Sequence, residues 1–143
     1  MTLIVDASVA LKWFLNDEPE WAAAKALLDG GEPLIAPELV VAEVCNAAWR
    51  GVRVGRLKQE QAEALARSLP ALFVLLASAS ELAERAVAIS GRLDHAVYDC
   101  FYLALAEARE VPLITADARF LRKLERTSWA AIAMHLADYR PGG

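Results

Sequence analysis

A chain of 143 residues, 57% hydrophobic and 24% charged, is sized for one domain with a full core and is too short for two of ordinary size. No apolar run approaches the ~18 to 20 residues of a membrane-spanning helix, and alanine supplies much of the apolar content, so membrane partners are not expected. A formal net charge of −4 excludes a nucleic-acid binder that works by bulk electrostatics alone; a phosphate-bearing ligand would need a local basic patch or a bound cation.

The N-terminus carries no basic stretch followed by an apolar core and a small-residue cleavage site, so a cytoplasmic protein is expected. Leu3, Ile4 and Val5 read as a buried strand that delivers Asp6 at its C-terminal end, and Ser8 suits the N-cap of a short helix from Val9 to Asn16. Asp17, Glu18 and Pro19 open a second helix, Glu20 to Leu28, which stops at Gly30 and Gly31. Pro33 to Ala36 is too short for a helix and reads as a buried strand. Pro37, at a first-turn position, begins a third helix from Glu38 to Arg50 that is apolar on almost every side. Gly51 and Gly55 loosen a basic connector, and a more polar helix from Leu57 to Leu69 follows, with Pro70 beyond its end. Leu72 to Leu76 predicts another strand, and Ser80 to about Gly91 a helix with an imperfect capping box. Val97 to Glu107 has scarcely a polar side chain except Asp99, and a helix apolar all round is buried all round. Val111 to Thr115 reads as a strand ending at Asp117, Ala118 to Arg126 as a helix, and Ala131 to Ala133 as a last edge strand. Strands alternating with helices predict a three-layer α/β/α sandwich with a mostly parallel central sheet, one domain over residues 1–143.

Four acids stand where acids are expensive. Asp6 and Asp117 both terminate apolar strands, and in a parallel sheet such residues share the edge where ligands bind. Glu43 lies among Val40, Val41, Val44 and Cys45, and Asp99 in the first turn of the most apolar helix. Burying a lone carboxylate costs several kcal/mol unless it is paired, protonated or metal-bound. No Arg or Lys lies within a helical turn of Glu43 or Asp99. One divalent cation would serve all four, and oxygen-only ligation favours Mg²⁺ or Mn²⁺ over zinc. Each acid also has an ordinary structural explanation: Asp6 as a cap, Glu43 as a salt-bridged core acid, Asp99 as a first-turn acid, Asp117 as the N-cap of the next helix. Ser8 and Thr115, two residues from Asp6 and Asp117, could orient a ligand carboxylate or serve only as turn residues. Cys45 and Cys100 form no C-x-x-C pair, and the expectation is two reduced core thiols.

These residues resemble the PIN domain family and, within it, the VapC toxins of toxin–antitoxin pairs. The opening from Leu3 to Phe14 resembles the family's first strand and helix, and Ala36 to Val44 its second acidic segment. Tyr98 to Glu107 and Leu113 to Phe120 resemble the third and fourth. The resemblance covers nearly the whole chain, and Asp6, Glu43, Asp99 and Asp117 all fall on the family's catalytic, metal-holding positions. It implies a Mg²⁺- or Mn²⁺-dependent endoribonuclease, held silent by a VapB-like antitoxin and forming a homodimer. In that reading Asp6, Glu43 and Asp99 hold a metal that activates water against an RNA phosphodiester, and Asp117 holds a second ion or positions the water.

Two basic clusters could track RNA phosphates: Arg50, Arg53, Arg56 and Lys58, then Arg119, Arg122, Lys123 and Arg126. They could equally be solvated helix ends. Arg119 is favoured because it is two residues from Asp117. Trp13, Phe14, Trp21 and Trp49 read first as core, and any that is exposed would suit an antitoxin groove or a dimer contact. Competing readings are a non-catalytic PIN-like interaction module and a metal-dependent nuclease acting on DNA. No G-x-G-x-x-G, G-x-S-x-G or H-E-x-x-H motif is present, and only His95 and His135 could support histidine chemistry.

Overall fold

The computed structural model of the chain describes residues 1–142. Five strands form one sheet: β1 (Leu3–Val5), β2 (Leu34–Pro37), β3 (Leu75–Ala77), β4 (Leu113–Thr115) and β5 (Ala133–His135), in the order β3-β2-β1-β4-β5. All four pairings are parallel, a stricter arrangement than the mostly parallel sheet the sequence predicts. The helices are α1 (Ala7–Ala10), α2 (Trp21–Asp29), α3 (Leu39–Arg53), α4 (Gln59–Ser68), α5 (Ala79–Leu93), α6 (Val97–Arg109) and α7 (Ala118–Leu124), which complete an α/β/α sandwich. The three inner strands are buried at every residue while the edge strands β3 and β5 are only partly so, as expected of a parallel sheet covered on both faces. One apolar cluster, from Leu3 to Leu136, runs through the sheet and its helices. No helix among the described residues is long and apolar enough to cross a membrane.

The chain winds outward from β1 to β2 and β3, then returns to lay β4 on the other side of β1. The crevice beyond the carboxyl ends of β1 and β4 is therefore the switch point of the sheet, the place where open α/β folds bind ligands. Asp6 follows β1 and Asp117 lies just past β4.

Local hydrogen bonding corrects several expected boundaries. Asp6, not Ser8, is the N-cap: its backbone is extended and its side chain accepts from the Val9 amide. The helix expected from Val9 to Asn16 is α1 followed by a 3-10 turn over Leu11–Trp13. Helix α2 begins at Trp21 because Glu20 is left-handed (φ 65°). Pro37 ends β2 rather than opening α3. The paired register of β1 with β2 stops at Ile4 and Ile35, so the missing amide of Pro37 interrupts no β1 ladder, and Glu38 donates to the Ala77 carbonyl at 2.7 Å. Where a strand is expected from Leu72, a 3-10 turn over Leu69–Leu72, with Pro70 in it, delays β3 to Leu75. The last strand starts at Ala133 because Thr127 caps a 3-10 turn over Ser128–Ala131.

Helix α3 buries Val40, Val44, Ala48 and Gly51, one stripe at helical spacing, and turns Ala42, Asn46, Trp49 and Arg50 outward. It is thus amphipathic rather than apolar all round. Helix α6 is buried from Cys100 and Tyr102 to Ala106, but its first turn leaves Tyr98 63% exposed, a departure from the fully buried helix expected. Helices α5 and α6 form an antiparallel pair joined through left-handed Asp94 (φ 52°). Arg85 of α5 donates to Glu107 of α6 at 2.7 and 3.0 Å, and Trp129 Nε1 donates to the same carboxylate at 2.6 Å.

Candidate functional site

Asp6 is 6% exposed and hydrogen-bonded on both oxygens. Ser8 Oγ donates to Oδ1 at 2.5 Å, the Val9 amide donates to Oδ1 at 3.3 Å, and Thr115 Oγ1 donates to Oδ2. The hydroxyls are themselves fixed: Ser8 Oγ accepts from the Ala116 amide at 2.9 Å, and Thr115 Oγ1 accepts from the Asp117 amide at 3.1 Å. Ser8 and Thr115 thus clamp Asp6 between the ends of β1 and β4. Burial nevertheless pushes the Asp6 carboxyl up to about 6, against the lowering effect of its three hydrogen bonds, and the charge of Asp99 adds to the rise.

Glu43 comes to the same place from α3, half-buried at the edge of the helix's apolar stripe. The hydroxyl of Tyr102, itself buried in α6, donates to Glu43 Oε1 at 2.6 Å. Burial raises the Glu43 carboxyl above its usual range, the Tyr102 hydrogen bond opposes this, and Asp99 and Asp6 raise it further. The Tyr102 hydroxyl is pushed far up by burial and by these carboxylates, so it stays a donor. Asp99, in the first turn of α6, has Oδ2 2.6 Å from His95 Nε2 one turn earlier. His95 is held in turn: Ser90 Oγ donates to its carbonyl at 2.5 Å, and its ring lies 5.0 Å from that of Phe120 in α7.

Asp6, Glu43 and Asp99 therefore come from β1, α3 and α6 to one region and act on one another through their charges. Asp117 lies at its rim. It is exposed, and its Oδ1 accepts from the Phe120 amide at 3.0 Å as the N-cap of α7. Among the described residues, no three His, Cys, Asp or Glu side chains are gathered closely enough to hold an ion as they stand. The donor set still suits a hard divalent cation. It consists of carboxylates and hydroxyls, and among the described residues neither Asp6 nor Glu43 has an Arg or Lys partner. Tyr102, which the sequence reading did not single out, and His95, which it named only as a candidate for histidine chemistry, are the hydrogen-bonding neighbours of Glu43 and Asp99. Their signal was the spacing: His95 lies four residues before Asp99 and Tyr102 three after it, one helical turn on either side.

A groove of about 530 Å³ opens beside this region, lined among others by Ser8, Glu43, Asn46, Arg50 and Tyr98. Of the other basic candidates, Arg53 lies 5.1 Å over the ring of Trp49, and Arg119 and Arg122 are exposed on α7. Arg56 is engaged by Asp17 and Glu18, and Lys123 donates to the Asp94 carbonyl at 2.6 Å, so these two cations serve the fold. Trp13 is core, its indole nitrogen donating to the Ala24 carbonyl at 3.0 Å, and Phe14 and Trp21 are partly covered. Only Trp49, 52% exposed, remains available to a partner among the four aromatics singled out in the sequence. Cys100 is a buried thiol that burial pushes up to about 11, and Cys45 is partly covered; both are free.

The sequence model of the PIN domain matches residues 3–125. Ribonuclease VapC3 of Pyrobaculum aerophilum is 31% identical over 125 residues, which is 86% of this chain and 95% of that protein. A crystal structure of a protein from Pyrobaculum aerophilum shares the fold with a TM-score of 0.71 at 24% identity, covering 96% of this chain and 93% of the other. A chain of a toxin–antitoxin complex from Klebsiella pneumoniae shares it with a TM-score of 0.68 at 18% identity, covering 94% and 97%. With its switch-point acids and these likenesses, the chain belongs to the PIN domain family, in its VapC branch.

Proposed function

We propose that this single-domain chain is a divalent-metal-dependent endoribonuclease and the toxin of a toxin–antitoxin pair, acting in the cytoplasm as a homodimer and silenced by a VapB-like antitoxin. One observation carries the reading: Asp6 and Glu43, brought from separate elements to the same region as Asp99, are raised by burial and by the charge of Asp99, and neither has an Arg or Lys partner among the described residues. Such a cluster costs stability unless a cation compensates it. The names of its relatives, a VapC ribonuclease and a toxin–antitoxin complex, agree with that chemistry.

Asp6, Glu43 and Asp99 would hold Mg²⁺ or Mn²⁺, and Asp117 at the rim would hold a second ion or orient water. An ion bound there would supply positive charge against the phosphoryl oxygens and would lower the pKa of water so that hydroxide is available as the nucleophile at neutral pH. The protein's own contribution is positioning. Ser8 and Thr115 fix the Asp6 oxygens, Tyr102 fixes Oε1 of Glu43, and His95 fixes Oδ2 of Asp99. Each of those donors uses one face of its carboxylate. Glu43 keeps Oε2 free of these contacts, and Asp99 keeps Oδ1.

Purified protein incubated with structured RNAs and Mg²⁺ or Mn²⁺ tests the reading. Cleavage is expected with the ion, and loss of cleavage in chelator and in D6N or D99N. Cleavage that persists in chelator or in either variant removes the mechanism.

A further inference from the structure

The groove beside Glu43 has a composition the carboxylates do not explain. On α3, residues 43, 46, 47 and 50 fall on one face, and Glu43, Asn46, Ala47 and Arg50 all line it. Seven residues of helix put Arg50 about 10 Å from Glu43 along the axis. Arg50 is exposed and makes no ion pair among the described residues, whereas Arg56 nearby is engaged by two acids. Tyr98 of α6 also lines the groove, 63% exposed although Cys100, two residues on, is buried. A large aromatic side chain left exposed next to a site acid contributes nothing to the core.

We propose that this groove seats one unpaired nucleotide of the RNA flanking the scissile phosphate, with its base stacked on Tyr98, its phosphate paired with Arg50 and the Asn46 amide facing its polar edge. The inference rests on the ribonuclease reading and adds where the strand runs. Charge decides between occupants. Arg50 is a guanidinium with no ion pair among the described residues, two turns of α3 beyond Glu43. A polyanion needs such a cation in a chain of net charge −4, and a π-face beside it suits any base. A duplex keeps its bases stacked inside and gains nothing from Tyr98.

The full-length protein, its Y98A, Y98F and R50A variants, and D6N as a cleavage-dead control are compared on a fluorescein-labelled single-stranded RNA and on its duplex. Anisotropy in EDTA reads binding, and cleavage with Mg²⁺ reads KM and kcat. Y98A is expected to weaken single-strand binding about tenfold, raising KM more than it lowers kcat, with little effect on duplex binding; Y98F restores most of the loss. R50A is expected to reduce the slope of log Kd against log salt by about 0.7, the signature of one lost phosphate contact. Unchanged KM in Y98A and R50A, with D6N inactive, assigns the groove to another occupant such as a protein partner; it overturns the proposal and leaves the nuclease reading standing. Equal losses on single strand and duplex overturn the stacking role. Weaker RNA binding by Y98A in a protein that never cleaves supports the groove and rejects the nuclease reading.

Discussion

Asp6 concentrates the conflict between stability and chemistry in one side chain. Its carboxyl titrates near 3.8 when unfolded and is pushed up to about 6 by burial in the folded chain, so folding favours the protonated form. The favourable contribution is present below about pH 4, declines as pH rises through 6, and is gone at neutral pH. The difference corresponds to about 3 kcal/mol at most. Without divalent ions, D6N is therefore expected to melt above the unmodified protein at pH 7.5 and level with it at pH 4.5, measured by thermal denaturation. Tyr102 works on Glu43 in the opposite direction, since its hydroxyl stabilises the ionised form. In Y102F the acid limb of the pH–rate profile should move to higher pH, and stability should fall by about 1–2 kcal/mol at neutral pH, where a partly buried carboxylate loses a donor.

At the level of elements, the site depends on α5 and α6 staying paired, because α6 carries Asp99 and Tyr102 while the turn between the helices carries His95. Ile89 is fully buried in α5. I89A should cost about 2–5 kcal/mol in urea denaturation, with the m-value unchanged, as a cavity in a packed core does. The α/β/α architecture and the placing of Asp6 and Asp117 at one sheet edge were legible in the sequence, because apolar runs followed by acids mark strand ends whatever packs on them. Exact starts were less legible. At Pro37 a bond between distant residues decides, Glu38 donating to the Ala77 carbonyl, whereas left-handed Glu20 and the 3-10 turn that holds Pro70 are local turns that apolar spacing does not mark. Tyr102 escaped notice for a related reason. A buried Tyr reads as core until the carboxylate that accepts its proton is known to lie across the helix interface, 59 residues away. Of the four acids, Asp117 matches its ordinary explanation as an N-cap most closely, and Asp6 caps α1 as well as facing the other acids.

For the whole molecule, a net charge of −4 means that the proposed RNA substrate would have to be drawn to local cations. Arg119 is exposed on α7, two residues beyond Asp117. R119E is expected to weaken RNA binding severalfold, read by anisotropy at low salt, with the melting temperature nearly unchanged; unaltered binding would remove α7 from the RNA path. The proposed chemistry turns on Asp6, Glu43 and Asp99, and calorimetric titration with Mn²⁺ interrogates them without any substrate. The unmodified chain should bind the ion saturably, with affinity at least tenfold weaker in D6N and in D99N. Equal Mn²⁺ affinity in all three proteins would contradict a metal centre built on these acids.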